Sequence, residues 1–192
     1  MSFNYPVFFN VEKKKCVVIG GGNVATRKAA ALLECGAEVT VIAKQTTQKI
    51  RQWNAKKKIR CSVREFRPSD LKGAWLVIAA TNDSKLNEKI FRESKKRRQW
   101  VNVVDKPPLC QLIYPSVIRK GPLTLAISTN GASPAMAKAI RKDLEKNFIP
   151  KYEKPLQEIA RRRKKVLKSV AGVQKRREIL NQLAQELLGD VR

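Results

Sequence analysis

The sequence predicts an α/β fold: a parallel sheet with helical crossovers, then a short strand–helix region and a helical tail. Three observations predict it. Short, valine-rich apolar runs ("CVVIG", "AEVTVIA", "WLVIAAT", "WVNVVD") alternate with amphipathic helical stretches, the pattern of right-handed βαβ crossovers. A glycine turn, "GGGNVA", joins the first run to the first helix. Beyond residue 105 the alternation stops, and from Pro150 onward the chain carries helix-forming residues with basic faces.

Each element follows from its residues. "CVVIG" is an unbroken apolar run closed by glycine, as a strand buried on both faces reads. "NVATRKAAALLECG" is a helix with Val24, Ala25, Ala29, Leu32 and Leu33 on its apolar side, and Gly36 supplies the stop. "AEVTVIA" is the second strand, and "TTQKIRQWNAKKK" a helix with Ile50 and Trp53 on one face. "IRCSVREF" alternates and reads as a third strand, followed by a turn at "RPSDLKGA". "WLVIAAT", "NDSKLNEKIFRESKKRR" and "WVNVVD" give a fourth strand, a helix and a fifth strand ending at Asp105. "KPPLCQLIYPS" reads as a proline-bearing loop with strand character near Leu112 and Ile113, and "GPLTLAIST" as a strand. In "NGASPAMAKAIRKDLEKNF" Ser133 suits a helix N-cap and Pro134 the first helical position, where a missing N–H costs nothing. The tail is helical to its end, apolar at Ile159, Val166, Leu167, Ile179, Leu180, Leu183 and Leu187. The first half is therefore a Rossmann-type domain.

Composition narrows the chemistry. Against 16 Asp+Glu the chain sets 41 Lys+Arg, a net +25, so its partners are anionic: a polyanion, an anionic surface or a substrate with many carboxylates. It has no histidine, which removes the commonest general base, the commonest metal ligand and every Ser-His or Cys-His nucleophile. Cys16, Cys35, Cys61 and Cys110 form no C-x-x-C pair and read as reduced thiols. No apolar run approaches a membrane span, and the first charges follow the N-terminal apolar patch, the reverse of a secretory signal; a cytoplasmic protein without membrane contact is expected. "KKKIR", "KKRR", "RRRKK" and "QKRR" raise nucleic-acid binding, but aromatic content of 6% and the lack of a base-reading motif argue against it. No nucleic-acid partner is expected.

"GGGNVA" fits G-x-G-x-x-A in its strand–turn–helix context. Gly20 permits the tight turn, Gly22 lets the backbone approach a pyrophosphate, and Ala25 lets the helix pack close to the sheet. The acid that usually binds the ribose at the end of the second strand is missing; that place reads Ile42-Ala43-Lys44-Gln45. Lys44 could favour a 2′-phosphate, Gln45 could serve ribose hydroxyls, and these residues alone leave NAD against NADP open.

At "VNVVDKPPLCQLIYPSVIRKGPLTLAISTNGASPAMAKAIRKDLE" the chain resembles the precorrin-2 dehydrogenase / sirohydrochlorin ferrochelatase family, which includes the N-terminal module of siroheme synthase. "YPVFFNVEKKKCVVIGGGNVATRKAAALLECGAEVTVIA" and "WLVIAATND" match in the same order. The resemblance implies oxidation of precorrin-2 to sirohydrochlorin with NAD as hydride acceptor, in siroheme (porphyrin-type tetrapyrrole) biosynthesis, and in some members ferrochelation. It places the family's essential aspartate on Asp105 and its NAD contacts on Asn23, Val24, Lys44 and Gln45, beside Gly20, Gly22 and Thr81. The second residue of the family's S-S/T pair, phosphorylatable as serine in some members, falls on Thr129. A homodimer is implied, tied through residues 114–149, with a Rossmann domain over 1–113 and a basic helical tail over 150–192. Whether this chain also inserts iron into sirohydrochlorin is left open by the resemblance; with no histidine, no C-x-x-C pair and one candidate carboxylate, the residues themselves offer no preformed metal site.

A physical reading stands beside this. The implied substrate carries eight carboxylates, and a +25 chain suits it. Asp105 is placed to act as general base or to stabilise charge as hydride leaves. Ser128, Thr129 and Asn130 form a polar helix entrance suited to acetate or propionate groups. The alternative from another class is an NAD-sensing regulatory domain, which accounts for the glycine turn but not for the N-V-V-D box.

Overall fold

The computed structural model of the chain describes residues 4–189. It divides into two compact units: residues 6–113, and residues 114–189 with Asn4 and Tyr5.

The first unit is a five-stranded sheet of β1 (Lys15–Ile19), β2 (Glu38–Ala43), β3 (Arg60–Val63), β4 (Leu76–Ala79) and β5 (Trp100–Val103), in the order β3-β2-β1-β4-β5. Every pair is parallel. The crossovers carry α1 (Asn23–Glu34), α2 (Gln48–Ala55) and α3 (Ser84–Lys96). Both faces are covered, so the central strands show no polar alternation. Cys16 and Val18 of β1 pack with Ala25, Ala29 and Leu32 of α1 and Ile50 of α2; Val17 and Ile19 pack on the other face with Ile90 of α3 and Leu71. α1 closes as expected at Gly36: its N–H bonds the Leu33 carbonyl and Ala37 N–H bonds that of Leu32, with Gly36 at φ +75°. Thr47 caps α2 and Asp83 caps α3 through their side chains.

The third strand is shorter than its alternation suggests, because the chain turns into a 3-10 helix at Pro68–Leu71. Arg64 grips Asp70 there through two hydrogen bonds of 2.9 and 2.6 Å, and the same carboxylate accepts the Arg67 N–H at 2.8 Å. The Asp70 side chain is 7% exposed, and the Arg64 guanidinium holds its carboxyl below the usual carboxylate range. A depressed carboxyl contributes stability above its unfolded pKa and loses it as pH falls through the folded one. Asp70→Asn is therefore expected to destabilise the fold by about 1–3 kcal/mol at neutral pH. The difference from wild type should vanish as pH falls through and below the ordinary Asp range, which urea unfolding from pH 7 downward checks.

One expectation fails after β5, and one strand there was not foreseen. Leu112 and Ile113 are not strand: a 3-10 turn at Pro107–Leu109 carries the chain away, and Gln111 N–H to Val101 O (3.0 Å) is its backbone bond back to the sheet. Prolines at 107 and 108 supply no N–H for a ladder, so pairing cannot start there. The strand appears instead at β6 (Ser116–Lys120), which the sequence reading passed over.

In the second unit β6 pairs antiparallel with β7 (Leu123–Ile127) through a two-residue turn, Gly121 at φ +53° followed by Pro122. α4 (Pro134–Asp143) starts on Ser133, whose hydroxyl accepts the Met136 N–H at 3.1 Å, as predicted. A π-helical segment at Leu144–Phe148 leads into α5 (Ile149–Ser169), and Gly172 at φ +88° breaks the chain before α6 (Val173–Gly189). The helical tail is thus observed to residue 189; 190–192 lie outside the described residues. No helix among the described residues is long and apolar enough to cross a membrane.

Candidate functional site

The order β3-β2-β1-β4-β5 reverses direction at β1, between β2 and β4, and the carboxyl ends of β1 and β4 form the crevice where open α/β sheets take ligands. The glycine turn fills it, and each glycine has a different duty. Gly20 sits at φ +120°, and a β-carbon there would lie 2.2 Å from the Ala80 carbonyl oxygen. A β-carbon on Gly21 would lie 2.0 Å from the Gln45 carbonyl oxygen. Those two glycines let the ends of β1, β2 and β4 touch. Gly22 is exposed, and a β-carbon on it would meet nothing within 4 Å. Its open side, with α1 starting on it without a side-chain cap or an acid in the first turn, leaves N–H groups facing outward for phosphate. A pyrophosphate fits this cradle. The sequence reading credited Gly20 and Gly22 and missed Gly21, whose tight packing no motif spacing reveals.

Asn23 is exposed and Val24 half-buried at the start of α1; Ala25 is fully buried against the sheet. Lys44 and Gln45 follow β2 and are exposed. Lys44 is 2.8 Å from Glu65, which leaves the end of the neighbouring β3, and that carboxylate raises the lysine above its ordinary range. The acid absent from β2 thus arrives from β3, 21 positions further on, where sequence spacing gave no hint. Both side chains are about three-quarters exposed, at 73% and 77%, so the pair is adjustable. Thr81 follows β4. Its hydroxyl donates to Oδ1 of buried Asn87 (2.7 Å), whose Nδ2 returns a bond to the Thr81 carbonyl (3.0 Å). Asn87, missed from sequence, fixes this loop; its one visible signal is an amide on the inward face of α3.

Asp105 lies two residues beyond β5, at the same carboxyl edge, exposed and at φ +58°, a left-handed conformation that Asp tolerates better than most residues. Val104 N–H bonds the Ala79 carbonyl (2.9 Å), which keeps the turn in register with β4. Lys28, half-buried on α1, is within the field of Asp105 and of Cys110. Burial and then Arg27 push its ammonium down to about 8, with Asp105 and Cys110 pulling the other way.

The structure therefore gathers Gly20, Gly22, Asn23, Val24, Lys44, Gln45, Thr81 and Asp105 along one edge of the first unit's sheet. Ser128, Thr129 and Asn130 belong to the second unit. There the Thr129 hydroxyl donates to the Ser133 carbonyl and accepts the Ser133 N–H, both 3.1 Å, and Ser128 Oγ accepts the Asn130 N–H at 3.1 Å. Asn4 donates to the Asn130 side-chain oxygen at 3.3 Å. Loop closure thus occupies much of the hydroxyl capacity offered at this helix entrance. A basic cleft of about 910 Å³ opens at the opposite edge of the first unit, lined by Lys13, Lys14, Lys15, Trp75, Arg98 and Trp100 among others; none of the predicted site residues lines it.

Sheet order, open glycine cradle and uncapped α1 define a Rossmann-type dinucleotide-binding protein. A family model described as "Putative NAD(P)-binding" matches residues 7–116, and one described as "Sirohaem biosynthesis protein central" matches 120–147. The chain belongs to the NAD(P)-binding family that comprises the siroheme synthase N-terminal module and the precorrin-2 dehydrogenases. It is 38% identical over 172 residues to siroheme synthase of Nitrosococcus oceani, covering 90% of this chain and 37% of that protein. To siroheme synthase 2 of Klebsiella pneumoniae subsp. pneumoniae it is 37% identical over 194 residues, covering 97% and 42%. The chain thus spans about two fifths of the length of these curated relatives. Among solved structures it is similar to "SirC, precorrin-2 dehydrogenase", with 28% identity, 98% of both chains covered and a TM-score of 0.82.

Proposed function

We propose that this chain is an NAD-dependent precorrin-2 dehydrogenase, forming sirohydrochlorin for siroheme biosynthesis. One observation carries the reading: an exposed carboxylate, Asp105, stands on the same sheet edge as an open glycine cradle, in a chain that matches both the NAD(P)-binding and the sirohaem central models. The nicotinamide, when bound, supplies the hydride acceptor. Gly20, Gly22, Asn23 and Val24 would hold its pyrophosphate, Lys44 and Gln45 its ribose, and Thr81 would contact it from the end of β4. Oxidation removes one hydride and one proton from the macrocycle. Asp105 accepts that proton and passes it to solvent, so atoms and charge balance.

NAD is favoured over NADP by the Lys44–Glu65 pair: a 2′-phosphate drawn to Lys44 would meet the Glu65 carboxylate at the same place. The net charge of +25 draws in a substrate with eight carboxylates. Ser128, Thr129 and Asn130 are assigned to its acetate and propionate groups, in the polar loop before α4. A Rossmann domain over 1–113, a dimerising region over 114–149 and a basic tail over 150–192, working as a cytoplasmic homodimer, complete the reading.

Purified protein, incubated anaerobically with precorrin-2, should reduce one NAD per sirohydrochlorin formed, and NADP should be used about tenfold less efficiently, the worth of one misplaced charge. NAD binding without turnover on either cofactor would replace the enzyme with a nucleotide sensor.

A further inference from the structure

The basic cleft lies at the amino ends of the parallel strands. Lys15 opens β1, Trp100 opens β5 and Trp75 immediately precedes β4, and all three line the same cavity of about 910 Å³. Open α/β sheets take their ligands at the carboxyl ends. The five residues of β1, at ~3.3 Å each, put roughly 17 Å between the two edges. The dinucleotide site therefore leaves this cleft unexplained. Six basic side chains line it against one acid, Glu38. Arg97 is held by Glu93, and Lys15 donates to the Lys72 carbonyl at 2.6 Å. Lys13, Lys14, Lys72 and Arg98 are exposed and, among the described residues, enter no salt bridge.

The rest of the lining is aromatic and amide. The Phe9 ring packs on both indoles, 5.2 Å from Trp75 edge-on and 5.5 Å from Trp100, which fixes their positions. Gln99 also lines the cleft and is 7% exposed. Its Nε2 donates to the carbonyls of Leu71 (2.5 Å) and Ala74 (2.9 Å), while its side-chain oxygen is buried with no donor among the described residues. An unpaired buried acceptor is costly, so the wall is incomplete by one donor. Two of the cations strain the backbone as well: Lys13 and Arg98 are left-handed, at φ +56° and +54°, in turns where glycine is the residue of least strain. A cation at Arg98 complements the end of α3, but Lys13 lies on the loop before β1.

We propose that this cleft is a second binding site, for a flat polycarboxylate macrocycle, which holds the oxidised ring at the edge away from the dinucleotide. The inference rests on the dehydrogenase reading and deepens it, since the product of that reaction is a conjugated ring with eight carboxylates. A volume of about 910 Å³ is that of a small-molecule site. Carboxylates at the ring's rim meet Lys13, Lys14, Lys72 and Arg98, and the indoles offer faces and edges to the ring itself. A ring N–H or a carboxylic O–H supplies the kind of donor that Gln99 lacks. Nucleic acid is drawn to the same charges, but it is bound along an extended track, and these cations converge on one concavity.

Uroporphyrin, a planar ring with eight carboxylates, tests this on the full chain without turnover. Added to wild type, it should slow the acetylation of Lys13, Lys14 and Lys72, read by mass spectrometry, and leave that of Lys89, exposed in the middle of α3, unchanged. In equilibrium dialysis the double variant Lys13→Gly/Arg98→Gly should bind uroporphyrin about tenfold more weakly at one class of site, the worth of two exposed ion pairs, and should melt no lower than wild type. Acetylation of the three cleft lysines indifferent to uroporphyrin would overturn the proposal, whatever the variant does. So would a double variant that binds as wild type does. A single-stranded oligonucleotide that protects these lysines where uroporphyrin does not would give the cleft to nucleic acid instead. Protection in a wild-type protein that turns over no precorrin-2 would sink the enzyme reading and leave a macrocycle site; turnover without protection would sink this proposal alone.

Discussion

Asp105→Asn should lose about 10²- to 10⁴-fold in kcat while folding and binding NAD as wild type does. The argument is one of position. Asp105 is exposed at the carboxyl edge of β5, beside the end of β4 and in line with the glycine cradle, and no other acid was assigned to the chemistry. Asn is the informative replacement, because Asp105 sits at φ +58° and Asn tolerates the left-handed region as Asp does. Asp105→Ala removes the charge too, but adds a backbone cost of about 1 kcal/mol or more to the turn. Steady-state rates with precorrin-2, NAD titration and a melting curve on both variants separate the effects. Unchanged kcat in Asp105→Asn would remove the base from the mechanism.

The second large effect divides the three glycines. Gly20→Ala and Gly21→Ala each force a β-carbon to within about 2 Å of a backbone carbonyl oxygen, of Ala80 or of Gln45, and Gly20 is left-handed as well. Backbone has to move in both cases, and each variant should lose more than about 3 kcal/mol of stability. Gly22→Ala meets nothing within 4 Å in the protein. It should melt as wild type does, yet bind NAD about tenfold or more weakly, because the methyl stands where the pyrophosphate approaches. Thermal unfolding and NAD titration of the three variants check the division. A Gly22→Ala variant binding NAD normally would move the dinucleotide off this turn.

These expectations draw unequally on sequence and structure. The glycine turn was legible as G-x-G-x-x-A because one short segment carries strand, turn and helix start together. Its middle residue was not, since Gly21 is required by the backbone of Gln45, which another strand delivers. The Schellman end at Gly36 and the N-cap at Ser133 were legible for the same local reason. β6 was missed because "SVIRK" is short, half-polar and preceded by proline, and it becomes a strand only by pairing with β7. Strand character near Leu112 was misread because Leu112 packs on the core of the sheet rather than joining a ladder, while Ile113 is exposed.

By itself, then, the sequence determined the kind and order of the Rossmann elements, the phosphate turn, and Asp105 as the carboxylate at a strand end. These are matters of local periodicity, backbone freedom and helix-end chemistry, all written within a few neighbouring residues. Only the tertiary structure decided that Glu65 meets Lys44, that Asn87 holds Thr81, and that Asn102 pins the loop carrying Asp105. Each of these pairings joins different elements of the fold. Strand order, crossover hand and helix packing bring them together, and a charge or amide in sequence carries no mark of the partner that packing will give it.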